Sequence, residues 1–121
     1  LIRKYNLKIK IKSISTVREK NGLAMSSRNI LLDKETRDDA KIIYASLCTA
    51  KKMIKSKKLE EINYFISNFY VNKKKFNLEY FYIAENHSLK VVKSLNSNLK
   101  LRAFISVKVK GIRLIDNIAL F

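Results

Sequence analysis

Apolar and polar residues alternate strictly from Leu7 to Lys12: Leu7, Ile9 and Ile11 face one way and Lys8, Lys10 and Lys12 the other. A period of two predicts a strand with one buried face. Arg3 to Asn6, just before it, read as the end of a helix, so the chain opens on an αβ segment. A lone strand is not stable, and this one is expected to pair with a part of the protein outside these residues. Asp33 then supplies a cap whose carboxylate can accept from the amides of a first helical turn. Ala40, Ile43, Tyr44, Leu47 and Ile54 follow at i, i+3, i+4, i+7 and i+14, one apolar stripe of a helix. The run "KSKK", Lys55 to Lys58, breaks it. Leu59, Ile62, Ile66, Phe69 and Tyr70 predict a second amphipathic helix, ending near "NKKK", whose lysines suit the negative end of a helix dipole.

From Asn77 the period returns to two. "LEYFYIAE" reads as a strand and "NHSL" as a turn. Ala103, Ile105, Val107 and Val109 alternate with Phe104, Ser106, Lys108 and Lys110 as a second strand. Gly111 turns the chain, and "IRLIDNIAL" returns as a third. Two helices packed on a small three-stranded antiparallel sheet make an α+β domain. There is no internal repeat and no low-complexity linker.

Composition refines this picture. The 121 residues are 47% hydrophobic and 30% charged, a globular balance. The longest apolar runs are a few residues, too short for a helix across a bilayer, so no membrane partner is expected. The opening "LIRKYNL" has neither an initiator Met nor the layout of a signal peptide, and it reads as a piece of something longer. Cys48 is the only cysteine, which excludes an internal disulfide and points to a reducing, cytoplasmic setting. On its helical stripe it reads as a buried, inert thiol.

The net charge of +16 raises the question of nucleic acid. Of the 26 basic residues 20 are lysine, a point charge rather than a bidentate reader, and they are scattered from Lys4 to Lys110. Most of this charge reads as solvated surface, and no specific nucleic-acid partner is expected. Tyr80 and Tyr82 share a strand face, as in an RNA-stacking platform, but no RRM-type motif surrounds them.

The stretch "TVREKNGLAMSSRNILLD", Thr16 to Asp33, carries the candidate chemistry. Gly22 permits a tight bend, and Ser26, Ser27 and Arg28 follow where the chain turns or starts a short helix. Backbone amides in such a bend form an anion-binding concavity. Serine hydroxyls add donors, and the Arg28 fork suits phosphate oxygens. On spacing alone this reads as ordinary loop chemistry. His87, the only histidine, lies in a polar turn with no second metal ligand near it. Asp116 reads as structural, pairing with Arg113 or capping a turn.

Taken whole, "TVREKNGLAMSSRN" closely resembles the signature TVRE-x-DGLAMSSRN of the pantothenate synthetase (pantoate–β-alanine ligase) family. "GIRLIDN", Gly111 to Asn117, resembles that family's C-terminal G-x-RLIDN, and "LEYFYIAE" sits where the family has a DYLEIVD-like strand. The resemblance covers nearly the whole chain in the family's order. It implies an N-terminal Rossmann-like domain with a HIGH-type motif and a smaller C-terminal domain hinged to it. Residues 1–17 would then close the first domain, 18–32 would be the hinge and ATP loop, and 33–121 the C-terminal α+β domain.

The implied reaction joins pantoate to β-alanine with ATP and Mg²⁺, through a pantoyl-adenylate, releasing pyrophosphate and AMP. The M-S-S-R run would be the counterpart of the KMSKS loop of related adenylate-forming enzymes. Met25, Ser26, Ser27 and Arg28 would contact the ATP phosphates, with Ser26, Ser27 and Arg28 acting in catalysis. Val17 would hold adenine through its backbone N–H and C=O. No metal-ligating residue is implied here, and homodimerisation would run through the first domain. Asn21 replaces the family's Asp, and Asn equally suits a turn. The HIGH-type motif and the pantoate-binding residues are not among these residues. A small basic nucleic-acid-binding module is the alternative, and tight sequence-selective binding of RNA or DNA would favour it.

Overall fold

The computed structural model describes residues 2, 4–95 and 98–121. Asp33 caps the first helix as its position predicts, its Oδ1 accepting from the Thr36 N–H at 2.8 Å. The helix expected from Asp33 to Ile54 is divided: α1 covers Lys34–Asp39 and α2 covers Ile42–Met53, with a break at Ala40 and Lys41. Both of those residues keep right-handed helical backbone, so the apolar stripe carries across the break. Ala40, Ile43, Leu47, Ala50 and Ile54 are buried. α3, Leu59–Val71, begins where Glu61 Oε2 accepts from the Lys58 N–H at 2.8 Å. It buries Ile62, Ile66 and Tyr70. Tyr70 Oη meets Ser46 Oγ at 2.9 Å between α3 and α2, and burial pushes the phenol up to about 12.

β1 (Phe76–Glu85), β2 (Leu101–Val109) and β3 (Ile112–Ala119) form an antiparallel sheet in the order β1-β2-β3. Ala103, Ile105, Val107 and Val109 are all 0% exposed, so the alternation in β2 marks the face covered by α2 and α3. Lys110 (φ 46) and Gly111 (φ 83) join β2 to β3, and positive φ at both positions is what a two-residue I′ hairpin requires. A bulge between Leu78 and Tyr80 interrupts the β1–β2 register. It sets Glu79 against Ser106 Oγ (2.8 Å) and the Arg113 guanidinium (2.6 and 2.9 Å) on the outer face. Tyr80 and Tyr82 stack beside it, centroids 5.2 Å apart. α1 is tied to the sheet by Lys75, which reaches Glu35 and Asp39, and by Lys110, which reaches Asp33. No helix among the described residues is long and apolar enough to cross a membrane.

The N-terminal segment and Cys48 complete the picture. Leu7–Lys12 pairs with none of the described residues, and Leu7, Ile9 and Ile11 are 43%, 59% and 78% exposed, as fits a segment whose expected partner lies outside these residues. A strand needs a neighbour to take its hydrogen bonds, and none lies alongside among the described residues. Arg3 lies outside the described residues. The Leu7 N–H donates to the Ile2 carbonyl at 3.0 Å with Asn6 at φ 49, the bond and left-handed residue that close helix C-termini. Finally, Cys48 is half-buried rather than buried.

Ile105, on the central strand, is expected to lose about 2–5 kcal/mol on truncation to Ala. Leu31→Ala, at a position 64% exposed, is expected to stay within about 0.5 kcal/mol of the parent. Urea unfolding compares them. Hydrogen bonds from Arg113 and Ser106, with Lys108 adding, hold the Glu79 carboxyl down to about 2, from an ordinary 4.5. A lowered folded-state pKa adds stability above the unfolded value and loses it as pH falls through the folded one. The advantage of the parent over Glu79→Gln should therefore be full above about pH 4.5 and vanish towards pH 2.

Candidate functional site

Residues 17–25 fold back as a two-armed ribbon. The Met25 N–H donates to the Val17 carbonyl (2.9 Å), the Glu19 N–H to the Leu23 carbonyl (2.8 Å) and the Gly22 N–H to the Glu19 carbonyl (2.9 Å). Arg18 and Ala24 are bridge partners between the arms. Asn21 Oδ1 accepts from the Leu23 N–H at 3.0 Å, so the Asn at this position makes the turn by its own side chain. Gly22 stands at φ 95, where an added Cβ would come within 2.7 Å of Tyr44 Cδ1. Both the bend and the closeness of α2 require glycine here.

Arg18 fastens this ribbon to β3. Its Nη1 and Nη2 donate to Asp116 Oδ2 and Oδ1 at 2.6 and 3.0 Å, a bidentate pair. Nη1 also reaches the Gly22 carbonyl (3.1 Å), and the guanidinium lies 3.7 Å from the centroid of the Tyr44 ring. The partner of Asp116 is therefore Arg18 and not Arg113, which pairs with Glu79. Asp116 faces the core beside Leu114 and Ile118, and its side chain is only 2% exposed. Leaving a carboxylate there unpaired would be costly, which is why a cation is brought to it. Burial opposes charge on Arg18, but its hydrogen bond with Asp116 and the nearby charge outweigh this and raise its pKa.

A second clamp holds the other arm. Glu19 accepts from Asn29 Nδ2 (2.9 Å) and from Arg37 Nε and Nη2 (3.1 and 2.8 Å). The Arg37 hydrogen bond chiefly holds the Glu19 carboxyl below its usual range. Asn29, 1% exposed, also donates to the Ala24 carbonyl at 3.0 Å. Its Oδ1 is buried with no partner among the described residues.

Between the clamps stand the residues singled out in the sequence. Ser26 caps a 3-10 helix, Ser27–Leu31, its Oγ accepting from the Arg28 N–H at 3.2 Å. Ser26, Ser27 and Arg28 are exposed, as are Met25 (60%) and Val17 (61%). The Val17 carbonyl is already bonded to Met25, which brings these two site residues together. Of the five described arginines, Arg28 is the one with no acceptor for its guanidinium among the described residues. A cleft of about 280 Å³ runs between this loop and β3, lined by Thr16, Ser26, Arg28, Asp116 and Asn117 among others. Free donors and a free cation beside a cleft suit an anionic ligand.

Sequence reasoning missed Arg18, Glu19, Asn29 and Tyr44. One signal was present: Asp116 occupies a core-facing place in an alternating strand, where an acid requires a buried cation. The clamp at Asn29 had no local signal.

A family model described as pantoate-beta-alanine ligase matches residues 1–119. The pantothenate synthetase of Flavobacterium psychrophilum is 42% identical over 120 residues, covering 99% of this chain and 43% of its own length. That of Christiangramia forsetii is 39% identical, over 99% of this chain and 42% of its own. Among solved structures, the pantothenate synthetase of Thermus thermophilus is similar with a TM-score of 0.88 and 25% identity, over 99% of this chain and 43% of that one. A pantoate-beta-alanine ligase of Francisella tularensis, complexed with beta-gamma ATP and beta-alanine, gives 0.60 and 25%, over 98% and 36%. The chain thus spans less than half the length of the relatives it matches.

The two glycines offer a test of the ribbon. Gly111, at φ 83, has nothing within 4 Å of an added Cβ, so Gly111→Ala should cost only the backbone strain, about 1–2 kcal/mol. Gly22→Ala adds the collision with Tyr44 and should cost clearly more in thermal unfolding. Equal costs would mean that Tyr44 does not press on the turn.

Proposed function

The chain belongs to the pantoate–beta-alanine ligase family, and on that premise we propose that it supplies the nucleotide-phosphate side of an ATP-dependent ligase joining pantoate to β-alanine. The observation that carries this reading is the exposed Arg28, without an acidic partner among the described residues, beside Ser26 and Ser27 on a clamped loop at the rim of a cleft. In this reading residues 1–17 close a Rossmann-like nucleotide domain, 18–32 form the link and ATP loop, and 33–121 are the C-terminal domain. The 43% coverage of relatives agrees with a chain that carries one side of an active site. The rest of that site, with the pantoate-binding groups and the dimer contact, belongs to the first domain. The setting is the cytoplasm.

The chemistry assigned to the loop is electrostatic. The pantoate carboxylate attacks the α-phosphate of ATP; the bond to the β-phosphate breaks, and pyrophosphate leaves. Negative charge grows on that leaving group, and donors fixed in place beforehand stabilise it most in the transition state. Arg28 offers two parallel N–H bonds to phosphate oxygens, and Ser26 and Ser27 offer hydroxyl donors. Val17, at the start of the ribbon, offers its N–H and the second lone pair of its carbonyl to adenine. The β-alanine amine then attacks the acyl carbon of the adenylate, and AMP departs. Among the described residues no three His, Cys, Asp or Glu side chains stand together as a metal cage. Mg²⁺ in this reading is held mainly by the phosphates, its common mode, where it neutralises their charge.

Charge-assisted hydrogen bonds are worth roughly 1.5–3 kcal/mol, so Arg28→Ala should weaken ATP binding by about ten- to a hundredfold. Its melting temperature should stay close to the parent's, since an exposed arginine contributes little to stability. Lys at this position should restore only part, lacking the planar fork. Unchanged ATP binding in a calorimetric titration of Arg28→Ala would remove the phosphate role. The chain by itself, mixed with pantoate, β-alanine, ATP and Mg²⁺, should form no AMP. Positioning the carboxylate against the α-phosphate supplies about 7–11 kcal/mol of the barrier, and that belongs to the other domain. Sustained turnover would place the active site within these residues.

A further inference from the structure

We propose that Arg18 and Asp116 are positioning residues for phosphate binding: their ion pair fixes the ribbon on β3 and thereby sets where Ser26, Ser27 and Arg28 stand. This inference rests on the reading that those three residues meet ATP. The pair is 98 residues apart in sequence and joins the two motif blocks physically.

The path from the pair to the loop is short and hydrogen-bonded throughout. Asp116 is paired with Ile105 in the sheet, and its Oδ1 also accepts from the Asn117 N–H at 2.7 Å, which fixes its rotamer. Arg18 grips that carboxylate and, through Nη1, the Gly22 carbonyl at the tip of the ribbon. Arg18 is bridged to Ala24, and Ser26 follows two residues later. The arm that carries Val17 and the arm that leads into Ser26 are held together at the Met25–Val17 bond. Moving Arg18 therefore moves both ends of the nucleotide-facing ribbon at once.

Charge gives the pair a second effect. Asp116, its carboxylate covered by Arg18, is among the residues that line the same cleft as Arg28. With Arg18 on it, the carboxylate presents little net charge to an incoming phosphate. Without Arg18 it would repel that phosphate. Loss of Arg18 should thus harm ATP binding more than neutralisation of Asp116, although each breaks the same pair.

The experiment uses the 121-residue chain, with ATP as the probe, well below the melting temperature of each variant. Asp116→Asn is expected to weaken ATP binding about tenfold, the loss of roughly one charge-assisted hydrogen bond from a displaced donor. The same change in an Arg28→Ala background should add less than about twofold, because the pair acts through Arg28. A merely structural role would lower the melting temperature equally in both backgrounds and leave the affinity of the folded protein alone. Arg18→Met should bind more weakly than Asp116→Asn, and adding Asp116→Asn to Arg18→Met should recover part of the loss.

Amide exchange without nucleotide reads the positioning directly. Exchange at the Met25 and Asn29 N–H groups, bonded to Val17 and Ser26, should quicken about tenfold in Asp116→Asn, while Val107 in β2 is unchanged. If Asp116→Asn does not fold, Arg18→Lys, which keeps the charge but loses the fork, takes its place in both measurements. Unchanged exchange at Met25 and Asn29 overturns the inference, as does unchanged ATP affinity alongside a weakened Arg28→Ala. If instead Arg28→Ala binds ATP normally, the ATP reading fails, and the exchange result alone decides whether the pair positions the loop.

Discussion

One buried ion pair, Arg18 to Asp116, holds the candidate site on the domain that displays it. Neither partner could sit where it does alone. A carboxylate 2% exposed among Leu114, Ile118 and the central strand needs a cation, and the Arg18 guanidinium that meets it is held in place by the Tyr44 ring at 3.7 Å. Taking two charges out of water costs several kcal/mol each, and a good bidentate geometry offsets that cost without leaving a large surplus. The return is specificity of place. The ribbon that begins at Val17 and ends at Met25 can dock on β3 in one way.

The rest of the domain supplies a rigid surface for that docking. β2 is buried along its inner face, with α2 packed on it and α3 on β1, and Tyr44 on α2 meets Gly22 and Arg18 from the other side. The Glu19–Asn29–Arg37 clamp ties the loop to α1, so the 3-10 helix with Ser27 and Arg28 is fixed at both ends. What remains unpaired among the described residues is the arginine at its rim. In the proposed reading the site stabilises charge late in a reaction, which works best when its donors need no rearrangement, and these clamps hold them in place.

Much of this was legible in the sequence where period decides structure. The alternation of Ala103 to Val109 and the stripe of Ile43, Leu47, Ile62 and Ile66 mark the faces that are buried. Asp33 and Gly111 mark a cap and a turn for local reasons, and both act so. At Leu7 to Lys12 the period describes one strand only, since pairing involves two and the expected partner lies outside these residues. It also gave no hint of the break at Ala40, where the helical backbone continues. The site was half legible. The loop chemistry of Ser26 to Arg28 lies in consecutive residues, whereas its supports come from β3, α1 and α2, and long-range partners have no local signature. Asp116 on the inward side of its strand was the exception, a polar residue out of place that announced a missing cation.

A double-mutant cycle on Arg18 and Asp116, measured by urea unfolding of the 121-residue chain, tests most directly whether this pair fastens the loop. Arg18→Met and Asp116→Leu each strand one buried charge or remove its partner, and each is expected to cost about 3–5 kcal/mol. The double variant should cost no more than the worse single change, because the second substitution removes the charge left by the first. If the two costs simply add, Arg18 and Asp116 act independently, and the loop is held to β3 by something else.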